Sequence, residues 1–127
     1  MKTVAINSSL TVIGGGVSGV CAALSAARAG IQTILVHNRP VLGGNSSSEI
    51  RVWMRGATGA GNIFSEEMGV LGFLKMRNLY ENPEFNVIFW DEILLDAVLG
   101  EKNIRLFLNT NVEQVVCEGG RICQVEG

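Results

Sequence analysis

Two short apolar runs near the N-terminus are separated by a stretch with helical spacing. Leu10-Thr11-Val12-Ile13 and Gln32-Thr33-Ile34-Leu35-Val36-His37 read as strands. Between them Val17, Val20, Leu24, Ala27 and Ile31 mark one face of an alanine-rich helix, and Gly30 stands where a C-terminal cap belongs. The pattern predicts a complete βαβ unit.

Further along, alternation in Ile50-Arg51-Val52-Trp53-Met54-Arg55 predicts a short strand, and Gly56 to Asn62 a glycine-rich loop. Ser65, with Glu66-Glu67 behind it, predicts a capped helix, which Gly69 and Gly72 weaken. Asn82-Pro83-Glu84 offers a cap, a first-turn proline and an acidic start for a second helix. Its buried face is Val87, Trp90, Ile93, Leu94, Ala97 and Val98, and Gly100 ends it. A third strand, Ile104 to Leu108, precedes a hairpin from Val112 to Val125. The expected class is α/β: a parallel sheet with helices, plus a β-hairpin.

The turn after the first strand carries chemistry. Gly14-Gly15-Gly16-Val17-Ser18-Gly19 has the spacing G-x-G-x-x-G between a strand and a helix, the arrangement that holds a dinucleotide pyrophosphate. Gly14 permits the tight turn, Gly16 lets backbone approach the phosphates, and Gly19 lets the helix pack closely. The helix N-terminus, with Val17 and Ser18 in its first turn, offers N–H groups and positive dipole to the anion. Asn38 to Glu49 forms a second loop rich in glycine and hydroxyls.

At 127 residues and a net charge of −2, the chain suits one domain and gives no reason to expect nucleic acid. The uncharged stretch from Thr3 to Ala27 is interrupted by Gly14, Gly15, Gly16 and Gly19, a poor core for a signal peptide or membrane span. A cytoplasmic protein without membrane association is expected. Cys21, Cys117 and Cys123 have no metal-ligand or redox spacing. If Gly119-Gly120 is a two-residue turn, Cys117 faces Ile122 and Cys123 faces Val116, so the thiols point to opposite sides and stay reduced.

The strand, Gly14-x-Gly16-x-x-Gly19, helix, second strand and Leu42-Gly43-Gly44 doublet resemble the N-terminal half of FAD-dependent oxidoreductases of the glutathione-reductase-like group. The resemblance extends through Leu42-Gly43-Gly44-Asn45-Ser46-Ser47-Ser48-Glu49-Ile50-Arg51, Arg55 to Ala60, Asn82-Pro83, Trp90-Asp91 and Phe107 to Val112. It implies a Rossmann-like FAD-binding domain whose N-terminal part occupies residues 1–127. It also implies roles: Gly14, Gly16, Val17, Ser18 and Gly19 at the pyrophosphate, His37, Asn38 and Arg39 at the ribose and adenine end, and Gly43 and Gly44 at the phosphates and ribityl chain. Asn45, Ser46 and Ser47 would lie toward the isoalloxazine, Val112 would meet adenine through its backbone, and Arg51 or Arg55 could face substrate. No side chain stands out as acid, base or nucleophile.

Two departures from the family pattern matter. His37 stands where a carboxylate usually takes the ribose hydroxyls. A further strand beside the first, and a substrate domain, are expected in the family and do not follow the hairpin. The domain therefore reads as truncated, to be completed by another chain or domain, with an apolar bare edge at Val12 and Ile13. Two other readings stay open: an NAD(P)-binding module, with His37-Asn38-Arg39 at a 2′-phosphate, and an incomplete, non-catalytic domain that serves as an interaction partner.

Overall fold

The computed structural model describes residues 4–54, 61, 62, 65 and 68–127. Three parallel strands, β1 (Leu10–Ile13), β2 (Thr33–Val36) and β3 (Ile104–Phe107), form a sheet in the order β1-β2-β3. Register runs Leu10↔Thr33 to Ile13↔Val36 on one side of β2 and Thr33↔Ile104 to Val36↔Phe107 on the other. All four residues of β2 are buried, as a central parallel strand requires. β1 pairs only with β2 among the described residues, and Ile13 at its end is 54% exposed.

Helix α1 (Val17–Arg28) crosses from β1 to β2 and buries Val20, Ala23, Leu24 and Ala27. It stops in a Schellman motif: the Gly30 N–H donates to the Ala27 carbonyl at 2.9 Å and the Ile31 N–H to Ala26 at 3.0 Å, with Gly30 at φ 85°. Ile31, expected on the helix face, instead lies beyond the cap and is 40% exposed. Helices α2 (Val70–Glu81) and α3 (Val87–Leu99) follow. Leu74 from α2 and Trp90, Ile93, Leu94 and Val98 from α3 join Val20, Leu24, Leu35 and Leu42 in one core. Each fully buried leucine there contributes about 1.5–3 kcal/mol.

Several boundaries differ from expectation. α2 begins at Val70 with Gly69 at its N-cap, so Ser65 does not cap it, and Glu66-Glu67 lie outside the described residues. α3 is capped by Asn86, whose Oδ1 accepts from the Ile88 N–H at 3.0 Å, rather than by Asn82. Asn82 is buried instead: its Oδ1 accepts from the Asn86 N–H, and its amide donates to the Asn86 carbonyl and to Asn78 Oδ1. Ile50 to Met54 form no strand; the Val52 N–H turns back to the Asn45 carbonyl, and Arg51 takes φ 64°. Arg55 and the loop from Gly56 to Ala60 lie outside the described residues.

The hairpin pairs β4 (Gln114–Glu118) with β5 (Arg121–Glu126) through Gly119-Gly120, both at positive φ as a type I′ turn needs. Cys117 faces Ile122 as expected, but Val116 faces Gln124. Cys123 is the extra residue of a bulge, and its thiol donates to the Val116 carbonyl at 3.3 Å. None of the three cysteines forms a disulfide.

Candidate cofactor-binding site

The first glycine loop leaves β1 at the carboxyl end of the parallel sheet, the edge where α/β sheets bind ligands. The Gly14 N–H donates to the Val36 carbonyl at 2.8 Å, and Gly14 takes φ 104°, which favours glycine. A methyl group on Gly19 would overlap the Gly14 carbonyl, so that glycine sets how closely α1 meets the loop. Gly16 differs: a methyl there would meet nothing within 4 Å. Gly16 is the N-cap of α1 and brings no side-chain oxygen to the first turn. The first helical bond runs from the Val20 N–H to the Gly16 carbonyl at 2.9 Å. The N–H groups of Val17, Ser18 and Gly19 thus have no partner within the helix and stand at its positive end.

The second glycine loop is joined to the first through backbone. The Gly43 N–H donates to the Gly15 carbonyl at 2.8 Å, and Gly16 and Gly43 form an isolated parallel bridge. Gly43 and Gly44 take φ 109° and 57°, and a methyl on Gly44 would come within 3.1 Å of Gly16 Cα. Contact this close, at a positive φ, favours glycine at position 44.

Gly44–Ser46 then form a single 3-10 turn. Ser46, expected to face a flavin, is buried with its hydroxyl donating to the Gly43 carbonyl at 3.0 Å and accepting from Trp90 Nε1 at 2.9 Å. Ser47 Oγ donates to the Gly44 carbonyl at 2.7 Å, and the Ser48 N–H donates to Asp91 Oδ1 at 3.0 Å. Trp90 and Asp91 of α3 therefore hold the loop from behind. The helical spacing marks Trp90 as a core residue, but nothing local in the sequence points to the role of Trp90 and Asp91 on the loop. The Asn45 side chain is exposed, while its carbonyl accepts from the Val52 N–H.

At the end of β2, His37 is only 8% exposed. Its ring lies against Gly15, and Nδ1 accepts the Gly15 N–H at 3.0 Å. An accepting Nδ1 makes this the neutral tautomer with its proton on Nε2, which is buried without a hydrogen-bond partner among the described residues. Burial holds the imidazole pKa below its usual value; the Val41 backbone and Glu49 oppose this, while Arg39 adds to it. The His37 carbonyl accepts from Thr110 and the Arg39 carbonyl from Asn109, which ties this segment to the chain after β3.

Asn38 and Arg39 are exposed, and Arg39 pairs with Glu49 at 3.6 Å. Arg51 Nε donates to the Ser48 carbonyl at 2.9 Å. Val112, expected on the first strand of the hairpin, is half-buried and precedes β4 by two residues. A depression of about 240 Å³ between α2 and α3 shares no residue with the glycine loops; Arg77 in its wall is already bound to Glu81 and Asp96. Among the described residues no acid, cysteine and histidine cluster is placed to hold a metal ion, and no helix is long and apolar enough to cross a membrane.

The fold is similar to the crystal structure of Thermovibrio ammonificans THI4, with a TM-score of 0.56 and 18% identity over 93% of this chain. The chain spans 45% of the length of that structure. No curated protein matches it. The family described as FAD dependent oxidoreductase matches residues 9–127, nearly the whole chain including both glycine loops. The chain belongs to the FAD-dependent oxidoreductase family.

Proposed function

We propose that this chain is the FAD-binding portion of a flavin-dependent oxidoreductase. The observation that carries the reading is the joined pair of glycine loops at the uncapped N-terminus of α1. The residues present fit the group. Open space beside Gly16 leaves room for a phosphate, and the N–H groups of Val17, Ser18 and Gly19 supply donors at the positive end of a helix. In this reading Gly14, Gly16, Val17, Ser18 and Gly19 bind the pyrophosphate, and Gly43 and Gly44 bring backbone to the phosphates and ribityl chain. Asn38, Arg39 and the Val112 backbone lie toward the adenosine end, and Asn45 and Ser46 toward the ring system. Ser46 would act through its backbone, since its hydroxyl is engaged internally.

The bound flavin supplies the hydride- or electron-transfer chemistry, and the chain supplies binding and orientation. Glu49 and Arg51 are engaged, with Arg39 and with the Ser48 carbonyl, which leaves neither as a free acid, base or substrate anchor within these residues. A nicotinamide module binding a 2′-phosphate is less well supported, because Arg39 is paired with Glu49 and His37 is buried as a neutral ring. Titration of the purified chain with FAD, FMN and NADPH, followed by flavin fluorescence and by melting temperature, tests the reading. Saturable binding of FAD in preference to FMN and NADPH is expected. Preference for NADPH, or no saturable binding of FAD, would overturn it.

A further inference from the structure

His37 is the only histidine in the chain, and it occupies the position from which a side chain usually reaches the ribose of a bound dinucleotide. Its geometry points elsewhere. The ring is turned under the first glycine loop, with Nδ1 taking the Gly15 N–H at 3.0 Å. Gly15 is buried and so close to the ring that a methyl on it would come within 2.7 Å of His37 Cγ and 2.6 Å of Leu42 Cδ2. The carbonyl of the same Gly15 accepts the Gly43 N–H at 2.8 Å. One residue, Gly15, thus couples the imidazole to both glycine loops. Nε2 has no hydrogen-bond partner among the described residues and is buried, out of a ligand's reach in this arrangement.

We infer that His37 is a positioning residue that clamps the first glycine loop through the Nδ1 lone pair, so that dinucleotide binding requires the neutral imidazole and weakens on acidification. An imidazolium carries protons on both nitrogens and cannot accept the Gly15 N–H. Protonation therefore turns an acceptor into a second donor facing a donor, and the Gly14–Gly16 turn loses its inner support. The loop moves relative to the N-terminus of α1, and the N–H groups that would face the pyrophosphate lose their common aim. The charged groups near the ring are Arg39, on the chain just beyond β2, and Glu49, from the second glycine loop; they act in opposite directions and pair with each other at 3.6 Å. Gly14 to Gly16 and Phe107 to Asn111, the other backbone beside the ring and its strand, contain no ionisable side chain. His37 is the switchable group in this neighbourhood.

The inference rests on the FAD-binding reading for its ligand, but the clamp can be tested without it. In the ligand-free chain, nuclear magnetic resonance of the single imidazole and of the Gly15 amide follows both partners of the bond. The neutral ring is expected to carry its proton on Nε2, and the Gly15 amide to shift with the same acidic midpoint as the ring. A ring protonated on Nδ1 when neutral, or a Gly15 amide that ignores its titration, would overturn the clamp whatever the chain binds.

The second arm measures FAD affinity from pH 8 to a pH below the imidazole midpoint that resonance reports, in the wild type, His37→Asn and His37→Phe. Asparagine keeps an oxygen acceptor near Nδ1 that does not titrate, and phenylalanine keeps the ring without an acceptor. Wild-type affinity is expected to fall about tenfold across this range, as loss of one buried hydrogen bond implies. His37→Asn should bind within about threefold of wild type at pH 8 and lose the pH response, while His37→Phe should be weak at both pH values. Melting of each variant shows that it is folded. A pH-independent wild type, or a His37→Asn variant that titrates like it, would overturn the inference and leave the FAD reading standing. A wild type that binds no FAD at pH 8 would overturn that reading and the pH-dependent binding together.

Discussion

Trp90 Nε1 donates a hydrogen bond to Ser46 Oγ at 2.9 Å, inside the core and across 44 positions of sequence. The Ser46 hydroxyl in turn donates a hydrogen bond to the Gly43 carbonyl at 3.0 Å. The indole of α3 is thereby connected, through one hydroxyl, to the backbone of the second glycine loop. Removing that hydroxyl leaves the Trp90 N–H buried without an acceptor. Ser46→Ala is expected to lose about 1–3 kcal/mol in denaturant unfolding and to weaken FAD binding as well. Unchanged stability would show that the bond does not support the loop.

The second and third glycines of the first motif should separate folding from binding. A methyl on Gly16 meets no atom within 4 Å, whereas one on Gly19 overlaps the Gly14 carbonyl. Gly16→Ala should therefore stay within about 1 kcal/mol of the wild-type stability while losing retained flavin. Gly19→Ala should lose about 1–3 kcal/mol through forced displacement of α1 from the turn. Thermal melts beside flavin retention distinguish the two, and equal behaviour of both variants would contradict the division of labour.

Much of this was readable from residue pattern alone. β1, α1 and β2 followed from two apolar runs and a helical face, since local periodicity and a glycine cap act within a few residues of each other. The same locality misled at Ser65, whose acidic neighbours imitate a helix start that the chain makes only at Val70. Alternation at Ile50 to Met54 imitates a strand, but Val52 is recruited by Asn45 and no partner strand exists among the described residues. What sequence could not reveal was non-local: the Gly43–Gly15 backbone bond, the Trp90–Ser46 bond and the inward turn of His37. Each depends on how α3 and β2 are brought beside the loops, which no spacing within one segment records.

The connection between α2 and α3 offers a second case. Asn82 looked like the helix cap and is instead a buried hub with three hydrogen bonds, while Asn86 does the capping. Asn82→Ala is expected to cost about 2–3 kcal/mol, because it strands the Asn86 N–H and the buried Asn78 side chain and removes one of the two donors to the Asn86 carbonyl. Asn86→Ala should cost about 1 kcal/mol, the ordinary loss of a cap. Urea unfolding that ranks them in the opposite order would contradict the hub role of Asn82.

The buried imidazole should also leave a signature in stability against pH. Burial favours its neutral form, so the folded-state pKa lies below the ordinary value of 6.5. Above 6.5 both folded and unfolded chains hold the ring neutral, and stability is fully present. As pH falls through that value the unfolded chain takes up a proton that the folded chain resists, and stability declines until the folded ring titrates too. Melting temperatures at pH 7.5 and 5.5 should differ more for the wild type than for His37→Asn. Equal slopes would mean that the ring is not held neutral by the fold.

The central claim is that the joined glycine loops hold FAD. Its most direct test is the visible absorption spectrum of the wild-type chain and of Gly16→Ala after incubation with FAD and desalting. A flavin band retained by the wild type, released as FAD on denaturation and missing from the folded Gly16→Ala variant, is the expected result. A folded wild type that emerges colourless, or a variant that retains as much flavin as the wild type, would contradict it.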